Sequence, residues 1–246
     1  ACYRAYNDWA REFNAFAPER LVVLAMLPGH EPGEATAELR RVVALGHRGA
    51  MIGLFESDRP LFEDEWDGFW ATAGDLGVPI HFHLGGGLHS LRPDPGSWRH
   101  PAMIAVVPMQ LDEALSGMIF AGVFQRHSDV RLVLGESGLG WIPYVLERMD
   151  HEFAKYRDRV DRPLEAPPSE YFRKHVFATY EEDGLGLEML ARIGARNVMW
   201  ASDYPHGDST WPNSLEAIAT SGLATLDEAS RRRILWDNAA ELYHLG

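Results

Sequence analysis

The stretch VPIHFHLGGG, residues 78–87, decides the fold. It opens as a short apolar strand, and side chains along a strand alternate between two faces. Ile80, Phe82 and Leu84 share one face, while His81 and His83 share the other, about 6.6 Å apart along the strand. Two imidazoles packed beneath helices would carry a high desolvation cost. The histidine face is therefore expected to look into the interior of a barrel, with His83 nearer the C-terminal mouth. Gly85, Gly86 and Gly87 leave room for a ligand there. The alternative is a buried histidine pair satisfied by its neighbours.

Five further apolar runs read as strands: LVVLAML (21–27), AMIGLF (50–55), VRLVLGE (130–136), HVFATY (175–180) and NVMWASD (197–203). Helical periodicity lies between or after them, at 34–46, 63–76, 101–126, 141–156, 185–193, 214–220 and 227–245. Gly46, Gly77 and Gly194 follow helical stretches, as C-caps do. Strands that alternate with helices build a parallel sheet. A doubly wound sheet usually carries a glycine-rich turn after its first strand, and here 21–27 is followed by Pro28-Gly29-His30-Glu31. A (β/α)8 TIM-type barrel instead places polar residues at the C-terminal ends of several strands. His83, Glu136 and Asp203 each close an apolar strand in this way, and the barrel is the expected fold.

Six strands are two short of eight. The chain opens Ala-Cys-Tyr-Arg and enters at once an amphipathic pattern of Tyr3, Tyr6, Trp9, Ala10 and Phe13 that stops before Pro18. The expectation is an N-terminally incomplete barrel with two open sheet edges, an association hazard to be relieved by a longer chain or another subunit. No repeat, low-complexity segment or linker divides the sequence, which reads as one domain over 1–246.

Hydrophobic content of 46% and charged content of 24% in 246 residues describe an ordinary globular chain. A net charge of −13 argues against nonspecific nucleic-acid binding or attachment to an anionic membrane, both of which need a basic face. Cys2 is the sole cysteine, so neither a disulfide framework nor a thiolate zinc cluster is available. No uninterrupted apolar run approaches 18 residues and no signal-peptide pattern opens the chain. A cytoplasmic protein acting on a small molecule is the expectation.

Three positions beyond the histidine pair carry chemistry. Asp203 leaves its strand on the face shared by Met199 and Ala201, where a carboxylate holds a metal or acts as a base; the alternative is a turn-capping aspartate before Tyr204-Pro205. Glu136 is in phase with Leu132 and Leu134 and is expected to face inward, its alternative being a salt bridge inside the barrel. His206, on the loop after Asp203, is a candidate for substrate binding or a solvated side chain. Trp141, Tyr204 and Trp211 are candidates for the wall of an aromatic pocket, although aromatic residues are more often core.

The stretches AYNDWAREFNAFAPERLVVLAMLP (5–28), GAMIGLFES (49–57), VPIHFHLGGG (78–87), HSDVRLVLGESGLGWIPYVLERMD (127–150), NVMWASDYPH (197–206) and ILWDNAAELYHL (234–245) together resemble the amidohydrolase-related family that includes aminocarboxymuconate-semialdehyde decarboxylase. The resemblance covers nearly the whole chain. It implies a barrel with one divalent metal, zinc or manganese, at the C-terminal mouth. His83 matches the family's histidine ligand after the fifth strand, and Asp203 matches its aspartate after the eighth. The family's first-strand His-x-His or Glu-x-His pair has no counterpart here, and its proton-transferring histidine after the sixth strand corresponds to Glu136. Family members are often dimers or larger, so a homo-oligomer is an expected state.

The chemistry these residues suggest is metal-assisted. A metal with an open position brings bound water to a pKa of about 7 and makes it a nucleophile. In that reading His83 and Asp203 hold the metal, Asp203 orients or deprotonates the water, Glu136 moves a proton, and His81, Trp141 and His206 bind a small, aromatic or cyclic carboxylic substrate. Hydrolysis is the first expectation and loss of carbon dioxide the second. A third reading, from a different class, is a metal-free barrel remnant acting as a binding module.

Overall fold

The structure is a computed structural model and describes residues 1–54, 59–85, 91 and 96–245. Phe55 of the second expected strand, and Gly86 and Gly87 beyond His83, lie outside them. Among the described residues, six strands form one sheet: β1 (Ala25–Leu27), β2 (Ala50–Ile52), β3 (Ile80–His83), β4 (Leu132–Gly135), β5 (Val176–Tyr180) and β6 (Val198–Trp200). They follow one another in chain order, and every neighbouring pair is parallel. Helix α1 (Cys2–Asn14) precedes the sheet, α2 (Pro32–Ala44) links β1 to β2, and α3 (Asp67–Leu76) links β2 to β3. Between β3 and β4 run α4 (Arg99–Ile104), α5 (Asp112–Phe120) and α6 (Val123–Arg126). Then come α7 (Ile142–Tyr156) and α8 (Pro168–His175) before β5, and α9 (Gly184–Glu188) and α10 (Leu190–Ile193) before β6. After β6 the chain forms α11 (Ser214–Thr220), α12 (Glu228–Arg232) and α13 (Asn238–Leu242). A doubly wound sheet would reverse its strand order partway; this one never does, and it is six strands of a (β/α)8 barrel.

The strands are shorter than the apolar runs. Residues 21–24 stay out of β1, where the Asn14 side chain takes both the N–H of Val23 (2.7 Å) and its carbonyl (3.2 Å). The expected helix over 101–126 is broken in two places. A 3-10 turn, Val107–Leu111, contains Pro108, which lacks the N–H an α-helix would use, and Gly122 turns left-handed at φ 74° between α5 and α6. The run Arg99–Phe120 is long and apolar enough to cross a bilayer by length and composition alone. It is nonetheless these separate pieces, and Leu111, Leu115, Met118 and Ile119 are buried in the core.

Alternation in the strands sorts the two faces. Ile80, Phe82, Leu132, Leu134, Val176, Ala178 and Val198 point outward and are fully buried under the helices. Trp66, Phe69, Trp70 and Phe82 form a chain of edge-to-face rings, with centroids 5.0–6.1 Å apart, a geometry favoured by the ring quadrupoles. The inner face holds a smaller cluster of Val133 and Met199, closed by Leu242 of α13 and bordered by Phe177 and Tyr243.

The outer edge of β1 is guarded by α1. The Asn7 amide accepts from the N–H of Met26 (2.7 Å) and donates to its carbonyl (3.0 Å) and to Glu38 Oε1 (2.8 Å). One side chain thus offers that residue what a neighbouring strand would. Asn7→Ala strands a buried donor and acceptors, and is expected to lower the unfolding free energy by about 2–4 kcal/mol, measured by urea denaturation.

His175 closes α8 nearly without exposure. Its Nδ1 bonds to the Val130 carbonyl at 3.0 Å, its ring stacks on Phe124 at 4.9 Å, and its Nε2 is buried without a partner among the described residues. Burial holds its pKa below the ordinary value. The unfolded chain therefore binds a proton that the folded chain refuses, and this contribution to stability is complete above about pH 6.5 and declines as pH falls below it. The urea midpoint is expected to drop between pH 7 and pH 5, and His175→Phe to drop less over the same interval.

Candidate functional site

The C-terminal ends of β3, β4 and β6 bring His83, Glu136, Asp203 and His206 together. His83 is the last residue of β3, and its Nδ1 donates to the Leu84 carbonyl at 2.7 Å. That bond leaves Nε2 facing the mouth, 3.0 Å from Glu136 Oε2. Gly135 makes this approach possible, because a β-carbon there would lie 3.2 Å from His83 Cδ2 and 3.3 Å from the Phe82 carbonyl. Asp203 Oδ2 accepts from His206 Nδ1 at 2.8 Å, and the same nitrogen is 3.6 Å from Glu136 Oε1. One ligand atom each from Glu136, Asp203 and His206 falls within 4.8 Å of the others.

Both carboxylates sit on unusual backbone. Glu136 has φ 57° and Asp203 has φ 59°, the left-handed region that costs a residue with a β-carbon about 1–2 kcal/mol. Such strain persists where surrounding structure holds it, commonly at functional sites. Here the Glu136 N–H donates to Thr179 Oγ1 at 2.7 Å. The loop that follows is clamped by Asp183, which accepts from the N–H groups of Leu139 (2.6 Å), Gly140 (2.8 Å) and Gly186 (2.7 Å).

The electrostatics of the mouth are acidic. Its hydrogen bond to Glu136 raises the pKa of His83 against the opposing effect of burial, and the bond to Asp203 raises that of His206. Glu181, directly after β5, is pushed up to about 7 by burial, with the negative charges of Asp203 and Asp208 adding to the effect. Its Oε1 is buried without a hydrogen-bond partner among the described residues. An imidazole and carboxylates converging on one point suit zinc or manganese, which accept both nitrogen and oxygen donors.

The other expected substrate contacts lie elsewhere. His81 is 7% exposed, beneath His83 in the interior, where its Nε2 is 3.1 Å from the Tyr243 hydroxyl and the two rings stack. Burial drives its pKa down to about 3, with the charge of His83 assisting, so it stands as a neutral ring in the barrel floor. Trp141 packs against the core, and its Nε1 donates to the Ser137 carbonyl at 2.7 Å; it braces the Glu136 loop. Tyr204 and Trp211 meet edge to face at 5.2 Å and are each 62% exposed, flanking Asp203 and His206 in the chain.

Thr179, Glu181 and Asp183 escaped the sequence reading. The strand-end rule that selected His83 also selects Glu181, the first residue past the run 175–180, but a hydroxyl within the strand and a loop clamp carry no such signal. Thr179→Val keeps the shape and removes the acceptor for the Glu136 N–H. It is expected to cost about 1–3 kcal/mol of stability and to weaken binding of a divalent metal, read by thermal unfolding with and without manganese.

The amidohydrolase family model matches residues 1–245. Gamma-resorcylate decarboxylase of Rhodococcus jostii strain RHA1 is 30% identical over 261 residues, covering 98% of this chain and 76% of that protein. Among solved structures, 5-carboxyvanillate decarboxylase of Sphingomonas paucimobilis superposes with a TM-score of 0.84 at 23% identity, over 100% of this chain and 73% of that one. The dihydroxybenzoic acid decarboxylase of Polaromonas sp. JS666, with bound manganese and the inhibitor 2-nitroresorcinol, gives 0.77 at 24% identity, over 98% and 74%. The chain belongs to the amidohydrolase family.

Proposed function

We propose that this protein is a metal-dependent decarboxylase that removes carbon dioxide from a small aromatic carboxylic acid. The observation that carries it is the convergence of His83, Glu136, Asp203 and His206 at the strand ends of a chain whose relatives are decarboxylases of such acids. Those relatives favour loss of carbon dioxide over the hydrolysis that the sequence suggested first.

His83 and Asp203 would hold the divalent metal. When bound, it supplies the positive charge that draws an anionic substrate into a mouth otherwise rich in carboxylates. Tyr204 and Trp211 offer aromatic surface beside it. His206 in its imidazolium form, its affinity for a proton raised by Asp203, delivers the proton: the bond from ring carbon to carboxylate breaks, its electron pair returns to the ring carbon, that carbon takes the proton, and carbon dioxide departs. Asp203, accepting from His206 Nδ1 at 2.8 Å, holds that ring in place, and solvent restores its proton.

The test is turnover of a panel of hydroxybenzoic acids, 2,6-dihydroxybenzoate among them, by the manganese- or zinc-loaded chain in D2O. The expected product carries one deuterium on the carbon that lost the carboxylate. Asp203→Asn is expected to reduce kcat by about 10²–10⁴-fold with an unchanged circular dichroism spectrum. Turnover by that variant at the normal rate, or a product of hydrolysis, overturns the reading.

A further inference from the structure

Glu136 occupies the position where the sequence led us to expect a proton carrier, and its surroundings assign it another task. The inference rests on the metal-dependent reading above. His83 commits its Nδ1 proton to the Leu84 carbonyl, so in the neutral ring Nε2 carries only a lone pair. That lone pair faces Glu136 Oε2 at 3.0 Å. Two acceptors at that distance repel unless positive charge lies between them, as a second ring proton or as a cation. Oε2 is buried, and the imidazole 3.0 Å away pairs with it only when protonated; a cation between the two would take the place of that proton. The other oxygen, Oε1, is 3.6 Å from His206 Nδ1, which is already engaged at 2.8 Å by Asp203.

The backbone shows that this position is imposed. Glu136 is held at φ 57° with its N–H fixed on Thr179 Oγ1, and Asp203, at nearly the same φ, turns its own carboxylate into the same cluster. Ligand bonds of 2.0–2.2 Å to zinc let two donors stand at most about 4.4 Å apart. The donor atoms of the carboxylates already lie within 4.8 Å of each other, a gap that small side-chain rotations close.

We propose that Glu136 is itself a metal ligand. The ligand atoms of Glu136, Asp203 and His206 lie within 4.8 Å of one another, and His83 Nε2 stands 3.0 Å from Glu136; of these, His83, Glu136 and Asp203, from the ends of β3, β4 and β6, form a three-residue donor set for one divalent cation, while His206, its Nδ1 engaged by Asp203 at 2.8 Å, orients Asp203. Two carboxylates balance the charge of the ion, and the oxygen-rich set suits manganese as well as zinc.

The test is titration of the demetallated 246-residue chain with Mn²⁺ alone, followed by electron paramagnetic resonance, for the wild type, Glu136→Gln, Asp203→Asn and His206→Asn. The expected result is one ion per wild-type chain and a Kd raised at least about 100-fold by Glu136→Gln, since even residues behind the ligands cost 10–100-fold. Asp203→Asn should match it, while His206→Asn should shift the Kd less. In a positive test, Glu136→Cys loaded with Co²⁺ shows a thiolate-to-cobalt charge-transfer band in the near ultraviolet. If Glu136→Gln and Glu136→Cys bind Mn²⁺ like the wild type and no such band appears, while Asp203→Asn loses the ion, Glu136 is no ligand and the metal reading stands. If the wild type takes up no ion, both fall.

Discussion

The register of β3 against β4 places His83 opposite Gly135, and the rest of the site follows from that pairing. With glycine as its neighbour the imidazole can lie flat toward the next residue, Glu136. A slip of one residue would turn every side chain of β3 to the opposite face. His81 and His83 would then lie among the helices, and Ile80 and Phe82 would face the interior. The helices enforce the observed register, because Phe82 is locked into the ring chain with Trp70, whose Nε1 donates to the Leu61 carbonyl at 2.7 Å. Packing on the outer face thus determines chemistry on the inner one.

A mouth lined by Glu136, Glu181, Asp203 and Asp208, in a chain of net charge −13, is a poor place for an anion. Two responses to that crowding are visible in the structure. The histidines gain affinity for protons from the carboxylates they touch, and Glu181 is driven toward neutrality. A bound cation is the third response, and the one that would make the mouth attractive to a carboxylate substrate. Beneath the mouth, His81 does the reverse: the apolar interior keeps it uncharged, so no second positive centre competes with the one above it.

Much of the fold was legible because short apolar runs alternate with amphipathic ones, and strand order follows chain order in this architecture. The strand ends were less so. Glu136 was expected to face inward by its phase with Leu132 and Leu134, but those two point outward under the helices; Glu136 reaches the mouth because the chain has already turned left-handed there, a conformation that nothing in its side chain announces. The 101–126 stretch reads as one helix by periodicity because Pro108 and Gly122 break it without changing its apolar spacing. His81 was expected near substrate because its partner, Tyr243, lies 162 residues further along the chain, beyond any local pattern. Asp203 and His83 were selected by a rule about strand ends, and the same rule, applied to 175–180, reaches Glu181.

Asn7 takes the place of a neighbouring strand against Met26 at the edge of the sheet, and it does so with one amide that both gives and takes. An edge protected by charge or by proline is insensitive to chemical ageing, whereas this one depends on a thermolabile group. Hydrolysis of the amide to a carboxylate would leave an acceptor against the Met26 carbonyl and beside Glu38, so attraction would become repulsion and the row of backbone groups behind α1 would be released. The durability of the sheet edge is then set by how rarely α1 lifts away and admits water to that side chain.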